Sequence, residues 1–118
     1  MRCIIGAVLA LACMVSQSIA GPTASRGCLT AETRSVLNRM EARFGRVKVI
    51  STCRPGAVIA GSGRPSQHRY GKAVDFIPNG NRAAMLAWLR ANARGAVITY
   101  ASGHIHFDTG SYRWRGRK

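Results

Sequence analysis

The sequence predicts an α+β fold, a small and mostly antiparallel sheet with two helices packed on it. Two segments carry apolar residues at helical spacing between recognisable start and stop residues. Four short segments are β-branched or alternate in polarity. They follow one another as α-β-β-α-β-β, with strand next to strand. That order argues against the doubly wound sheet that alternating strand–helix units build.

The first helix is predicted over about residues 31–44. Thr30 stands before it as an N-cap, and Glu32 puts a negative charge in the first turn, where it suits the helix dipole. Val36, Leu37, Met40 and Phe44 recur on one face, Arg34, Arg39, Glu41 and Arg43 fill the other, and Gly45 stands at the stop. Val47–Ser51 alternates and is β-branched, a strand. Residues 54–67 hold Gly56, Gly61, Gly63, Pro55 and Pro65 and form a long loop, a kind that often carries function in a small domain. Ala73–Ile77 is a second strand, broken by Pro78-Asn79-Gly80. Asn81 caps a second helix over about residues 82–93, with Met85, Leu86, Trp88 and Leu89 apolar and Gly95 ending it. Ala96–Tyr100 and His104–Asp108 are two further strands, joined through Ala101-Ser102-Gly103 as a hairpin. The tail, Tyr112–Lys118, is basic, with Trp114 its one strong apolar anchor.

At 118 residues the chain has room for one domain. Residues 1–20 read as a signal peptide: a basic Met1-Arg2 start, an apolar run from Cys3 to Val15, and small residues at Ser18 and Ala20 before a cleavage point at Gly21. The run is too short to cross a bilayer as a helix. Ala10-Leu11-Ala12-Cys13 places a cysteine where a lipid anchor would attach, but Ala10 stands where leucine is usual. Residues 21–27 are a flexible lead-in and residues 28–118 the domain. The expected location is periplasmic or secreted, with no membrane-spanning segment left after cleavage. Export permits a disulfide between Cys28 and Cys53, the two cysteines outside the leader; two separate buried thiols are the alternative. Neither has another cysteine two to four positions away, which argues against a cysteine zinc site. The formal net charge is +14, and Arg2 is the leader's one charge. So basic a domain is drawn to polyanions, of which the cell wall is the expected partner. No basic run is interleaved with aromatics, so specific nucleic-acid binding is not expected.

Chemistry is concentrated in two windows, Ser66–Phe76 and His104–Asp108. The chain has three histidines and four acids, and the windows hold all three histidines (His68, His104, His106) and two acids (Asp75, Asp108). Imidazole and carboxylate together are common Zn²⁺ ligands. Strand alternation puts His104, His106 and Asp108 on one face and turns Ile105 and Phe107 to the core. Gly71 lets the chain turn between His68, in the loop, and Asp75, in the strand. Two histidines and one carboxylate leave a tetrahedral ion one position for water, the layout of a catalytic rather than a structural zinc site.

Ser66-x-His68-x-x-Gly71-x-Ala73-x-Asp75 resembles the signature of the zinc D-Ala-D-Ala carboxypeptidase family, whose relatives include D,D-dipeptidases, phage endolysin peptidases and proteins of the hedgehog-like metallopeptidase fold. Ile50–Pro55 resembles that family's strand-then-arginine segment. His106-Phe107-Asp108-Thr109-Gly110, with Trp114 after it, resembles its closing segment. The likeness runs over about residues 28–114. It implies a hedgehog/D,D-peptidase-like fold, His68, Asp75 and His106 as Zn²⁺ ligands, and Arg54 on the substrate carboxylate or the developing oxyanion. It further implies peptidoglycan peptide as substrate, cut at a bond involving a D-amino acid. Many members carry a glutamate general base three residues before the last zinc histidine; here that position is Gly103. His104 and Asp108, on the face of His106, are the residues expected to handle the proton in its place. The expected function is an exported zinc metallopeptidase, a D-amino-acid carboxypeptidase or endopeptidase. One alternative is a peptidoglycan-binding module of weak or no activity on the same fold. Another is a cationic polyanion-binding protein.

Overall fold

A computed structural model describes residues 24–118. The leader read over residues 1–20 and the start of the lead-in lie outside the described residues. Within the lead-in, the Ala24 amide donates to the Val49 carbonyl at 3.0 Å, and Arg26 forms a two-pronged ion pair with Glu41.

The elements are α1 (Ala31–Phe44), β1 (Lys48–Ser51), a one-turn 3-10 helix (Gln67–Tyr70), β2 (Ala73–Ile77), α2 (Arg82–Asn92), β3 (Val97–Thr99), β4 (Ile105–Asp108) and β5 (Arg115–Arg117). The strands form one sheet in the order β1-β2-β4-β3-β5, antiparallel except for the β3–β5 pair. This is the expected α+β architecture with a fifth strand added. Arg115-Gly116-Arg117 has no apolar alternation to announce it. It is held by main-chain bonds: the Val97 amide donates to the Trp114 carbonyl and the Lys118 amide to the Thr99 carbonyl, both at 2.8 Å.

The helices pack on one face of the sheet. Val36, Leu37 and Met40 of α1 and Met85, Leu86 and Leu89 of α2 are buried with Val49, Val74, Phe76, Val97, Ile105 and Phe107. Phe76 and Phe107 meet edge-on, with ring centroids 6.2 Å apart. Because side chains alternate, the residues between them, Asp75 and His106, stand on the other face.

Thr30 caps α1 as expected, its hydroxyl accepting from the Thr33 amide at 3.3 Å, and Gly45 ends it at φ 98°. Two expectations for α2 are corrected. Asn81 occupies the N-cap position but makes no side-chain cap bond; its amide donates to the Phe44 carbonyl at 2.8 Å and ties the start of α2 to the end of α1. Gly95 does not end the helix, which is capped at Ala93. A Cβ at Gly95 would fall 1.8 Å from Asp108 Oδ1, so the glycine there makes room for a carboxylate.

Candidate metal centre

Antiparallel pairing sets Asp75 of β2 directly opposite His106 of β4. β1 slips register between Val49 and Ser51, and Ser51 pairs with Asp75. Thr52 and Arg54 follow, and both hold the loop histidine: the Thr52 carbonyl is 2.5 Å from His68 Nδ1, and the Arg54 amide donates to the His68 carbonyl at 2.9 Å. The Ser66 hydroxyl accepts from the His68 amide at 3.2 Å and starts the 3-10 turn; Gly71, at φ 68°, ends it. A Cβ at Gly71 would sit 2.7 Å from the Cys28 carbonyl oxygen, so space and conformation both require glycine. Cys28 and Cys53 form a disulfide, which anchors the segment that grips His68.

His68, Asp75 and His106 converge. One nitrogen or oxygen from each lies within 4.8 Å of the others. His68 Nε2 is 3.2 Å and His106 Nδ1 2.8 Å from Asp75 Oδ1. A carbonyl only accepts, so His68 Nδ1 carries the proton and donates it to Thr52. In the neutral ring the lone pair then resides on Nε2. That nitrogen is buried and has no hydrogen-bond partner. A buried, unpartnered imidazole lone pair beside a carboxylate is costly alone and well matched to a cation. The donor set of two imidazoles and one carboxylate fits Zn²⁺.

His106 lies between two carboxylates. Its Nε2 is 2.8 Å from Asp108 Oδ2 and its Nδ1 faces Asp75. Burial alone would lower its pKa, but the hydrogen bonds to Asp108 and Asp75 outweigh that and push it up to about 9. For Asp75, burial would raise the pKa; the hydrogen bond from His106 and the His68 ring beside it win and hold it well below the usual carboxylate range. Without a metal, His106 therefore carries both ring protons.

Asp108 is fully engaged. Oδ2 serves His106, while Oδ1 accepts from the amides of Ala96 at 2.9 Å and Gly110 at 3.1 Å. It orients His106 from behind, as carboxylates commonly do for metal-bound histidines. His104 is not in the cluster. Its ring stacks flat on Tyr100, centroids 4.2 Å apart, and its Nδ1 bonds the Ser102 hydroxyl. Arg54 is exposed on the wall of the cleft over the cluster, a cavity of about 540 Å³. Tyr100 and Trp114 also line it and were not foreseen. Tyr100 was legible in principle: Ile98 pairs with His106, and Tyr100, two residues on, shares its face. Glu32 and Glu41 are paired elsewhere, with Arg94 and Arg26.

Comparison with known proteins adds one match. The family model described as Peptidase M15 matches residues 9–108. No curated protein and no solved structure matches significantly.

Proposed function

The chain belongs to the Peptidase M15 family, the zinc D-Ala-D-Ala carboxypeptidase-like family, and from that premise we propose an exported zinc metallopeptidase that cuts peptidoglycan peptides at a bond involving a D-amino acid. The observation that carries this reading is the unpartnered, buried Nε2 of His68, aimed at Asp75 beside His106.

His68 Nε2, Asp75 Oδ1 and His106 Nδ1 would hold the ion. Zinc bound there supplies Lewis-acid polarisation of a peptide carbonyl and acidifies water. The chain's own contribution is orientation. The Thr52 carbonyl fixes the tautomer of His68, and Asp108 fixes that of His106. Arg54 presents a guanidinium at the cleft wall, suited to a substrate carboxylate or a developing oxyanion. Asp108 is engaged with His106 and two main-chain amides, and His104 lies outside the cluster on Tyr100, so neither stands free in the position of a general base. The disulfide supports export; no described helix is long and apolar enough to cross a membrane.

A second reading, a peptidoglycan-binding module without turnover, is favoured by one observation. Gly103 stands where many relatives carry the general-base glutamate, and Glu32, Glu41 and Asp108 are all engaged in pairs. Incubation with purified muropeptides decides between the two. The peptidase reading expects loss of a D-amino acid or of a cross-link, abolished by a chelator. Zinc-loaded protein that binds the muropeptides and leaves them intact establishes the module instead.

A further inference from the structure

A second cavity, of about 430 Å³, lies between α2, the β3–β4 turn and β5. Three arginines line it: Arg82, Arg90 and Arg117. Arg82, Leu86 and Arg90 are four residues apart along α2 and so form one stripe. Arg117 is brought there by the pairing of β5 with β3, in register with Thr99. The Gly103 carbonyl fixes the Arg82 guanidinium at 2.7 Å and leaves most of its donor fork free.

No internal carboxylate serves these cations. The sequence has four acids, and they are engaged elsewhere: Glu32 with Arg94, Glu41 with Arg26, Asp75 and Asp108 with His106. Like charges gathered around one concavity repel one another unless an anion joins them. Tyr100 lines this cavity and the metal cleft alike.

We propose that the three-arginine cavity is a subsite for a free carboxylate of an acidic peptide whose scissile bond lies in the metal cleft across Tyr100. This rests on the peptidase reading and deepens it, because it selects substrates by a charge distant from the cut bond. Guanidinium forks match a carboxylate in two-pronged fashion, and Leu86 and Tyr100 supply apolar surface beside them.

The test is calorimetric titration of the full zinc-loaded chain with an acetylated glutamate-containing tripeptide and with its fully amidated counterpart. The acidic peptide is expected to bind roughly 10-fold tighter or more, as charged hydrogen bonds allow. The double variant Arg90→Gln/Arg117→Gln, which keeps the Arg82–Gly103 contact and changes two exposed side chains, should erase that preference while binding of the amide is unchanged. Equal affinity for the two peptides overturns the proposal, as does a preference that survives the double variant. The tripeptides carry no D-amino acid, so binding is read without turnover, and cleavage is read separately on muropeptides. A protein that discriminates between the tripeptides but leaves muropeptides intact keeps the subsite and refutes the hydrolase, whereas one that cleaves muropeptides but binds both tripeptides alike does the reverse.

Discussion

At the scale of single residues, the His68–Asp75–His106 cluster depends on groups that lie outside it. Asp108 has no room to move: its Oδ1 occupies the space a side chain at Gly95 would need. Gly95→Ala should therefore weaken zinc binding about 10–100-fold, the usual cost of losing an outer carboxylate, with all three ligands still present. Competition with a zinc chelator reads this. His106 makes a prediction of its own. Its folded pKa of about 9 exceeds its ordinary value of 6.5, so in the metal-free protein its contribution is full below pH 6.5 and lost as pH rises through 9. Thermal melts of chelator-treated protein should show Tm falling across that interval, by roughly 4–8 °C for each kcal/mol lost. The depressed Asp75 acts oppositely, its contribution present at neutral pH and lost on acidification. Zinc must displace the Nδ1 proton of His106, so titrations near pH 7 should release about one proton per ion, read by repeating calorimetry in buffers of different ionisation enthalpy. His68, Asp75 and His106 were legible because histidine and acid are scarce and their spacing matched strand geometry. The engaged state of Asp108 was not, since it depends on the Ala96 and Gly110 amides, and main-chain donors leave no mark on a sequence.

Among the elements, the segment from Cys28 to Arg54 forms a brace. The disulfide closes a 25-residue separation, worth about 3 kcal/mol by loop entropy, and it anchors Thr52, which fixes His68. Cys28→Ser/Cys53→Ser should lower stability by about that amount in urea denaturation and weaken zinc binding as well. An unchanged zinc affinity would detach the brace from the site. Arg115 performs a similar service for the tail, donating to the carbonyls of Arg90, Ala93 and Gly95 at the end of α2. Both helices and four strands were legible from periodicity. The fifth strand was not, because its pairing with β3 is carried by the main chain and its arginines point to no core. Asn81 sits at the expected cap, yet its side chain bonds Phe44 across the interhelical gap, a long-range choice that local propensity does not encode.

For the molecule as a whole, a chain of net charge +14 with every acid engaged exposes most of its described lysines and arginines. Adsorption to isolated anionic wall should fall steeply with added salt, while zinc content, held by buried groups, stays constant. The fold keeps these two properties apart: the apolar face of the sheet carries the helices, the opposite face carries the His68–Asp75–His106 cluster, and Arg54, Arg64 and Lys118 are the cations of the cleft over it. The central claim is that His68, Asp75 and His106 share one ion. Zinc titration into chelator-stripped protein at neutral pH, read by elemental analysis after gel filtration, tests it most directly. Close to one zinc per chain, lost in His68→Ala, is the predicted result; no retained zinc, or full retention in His68→Ala, contradicts it.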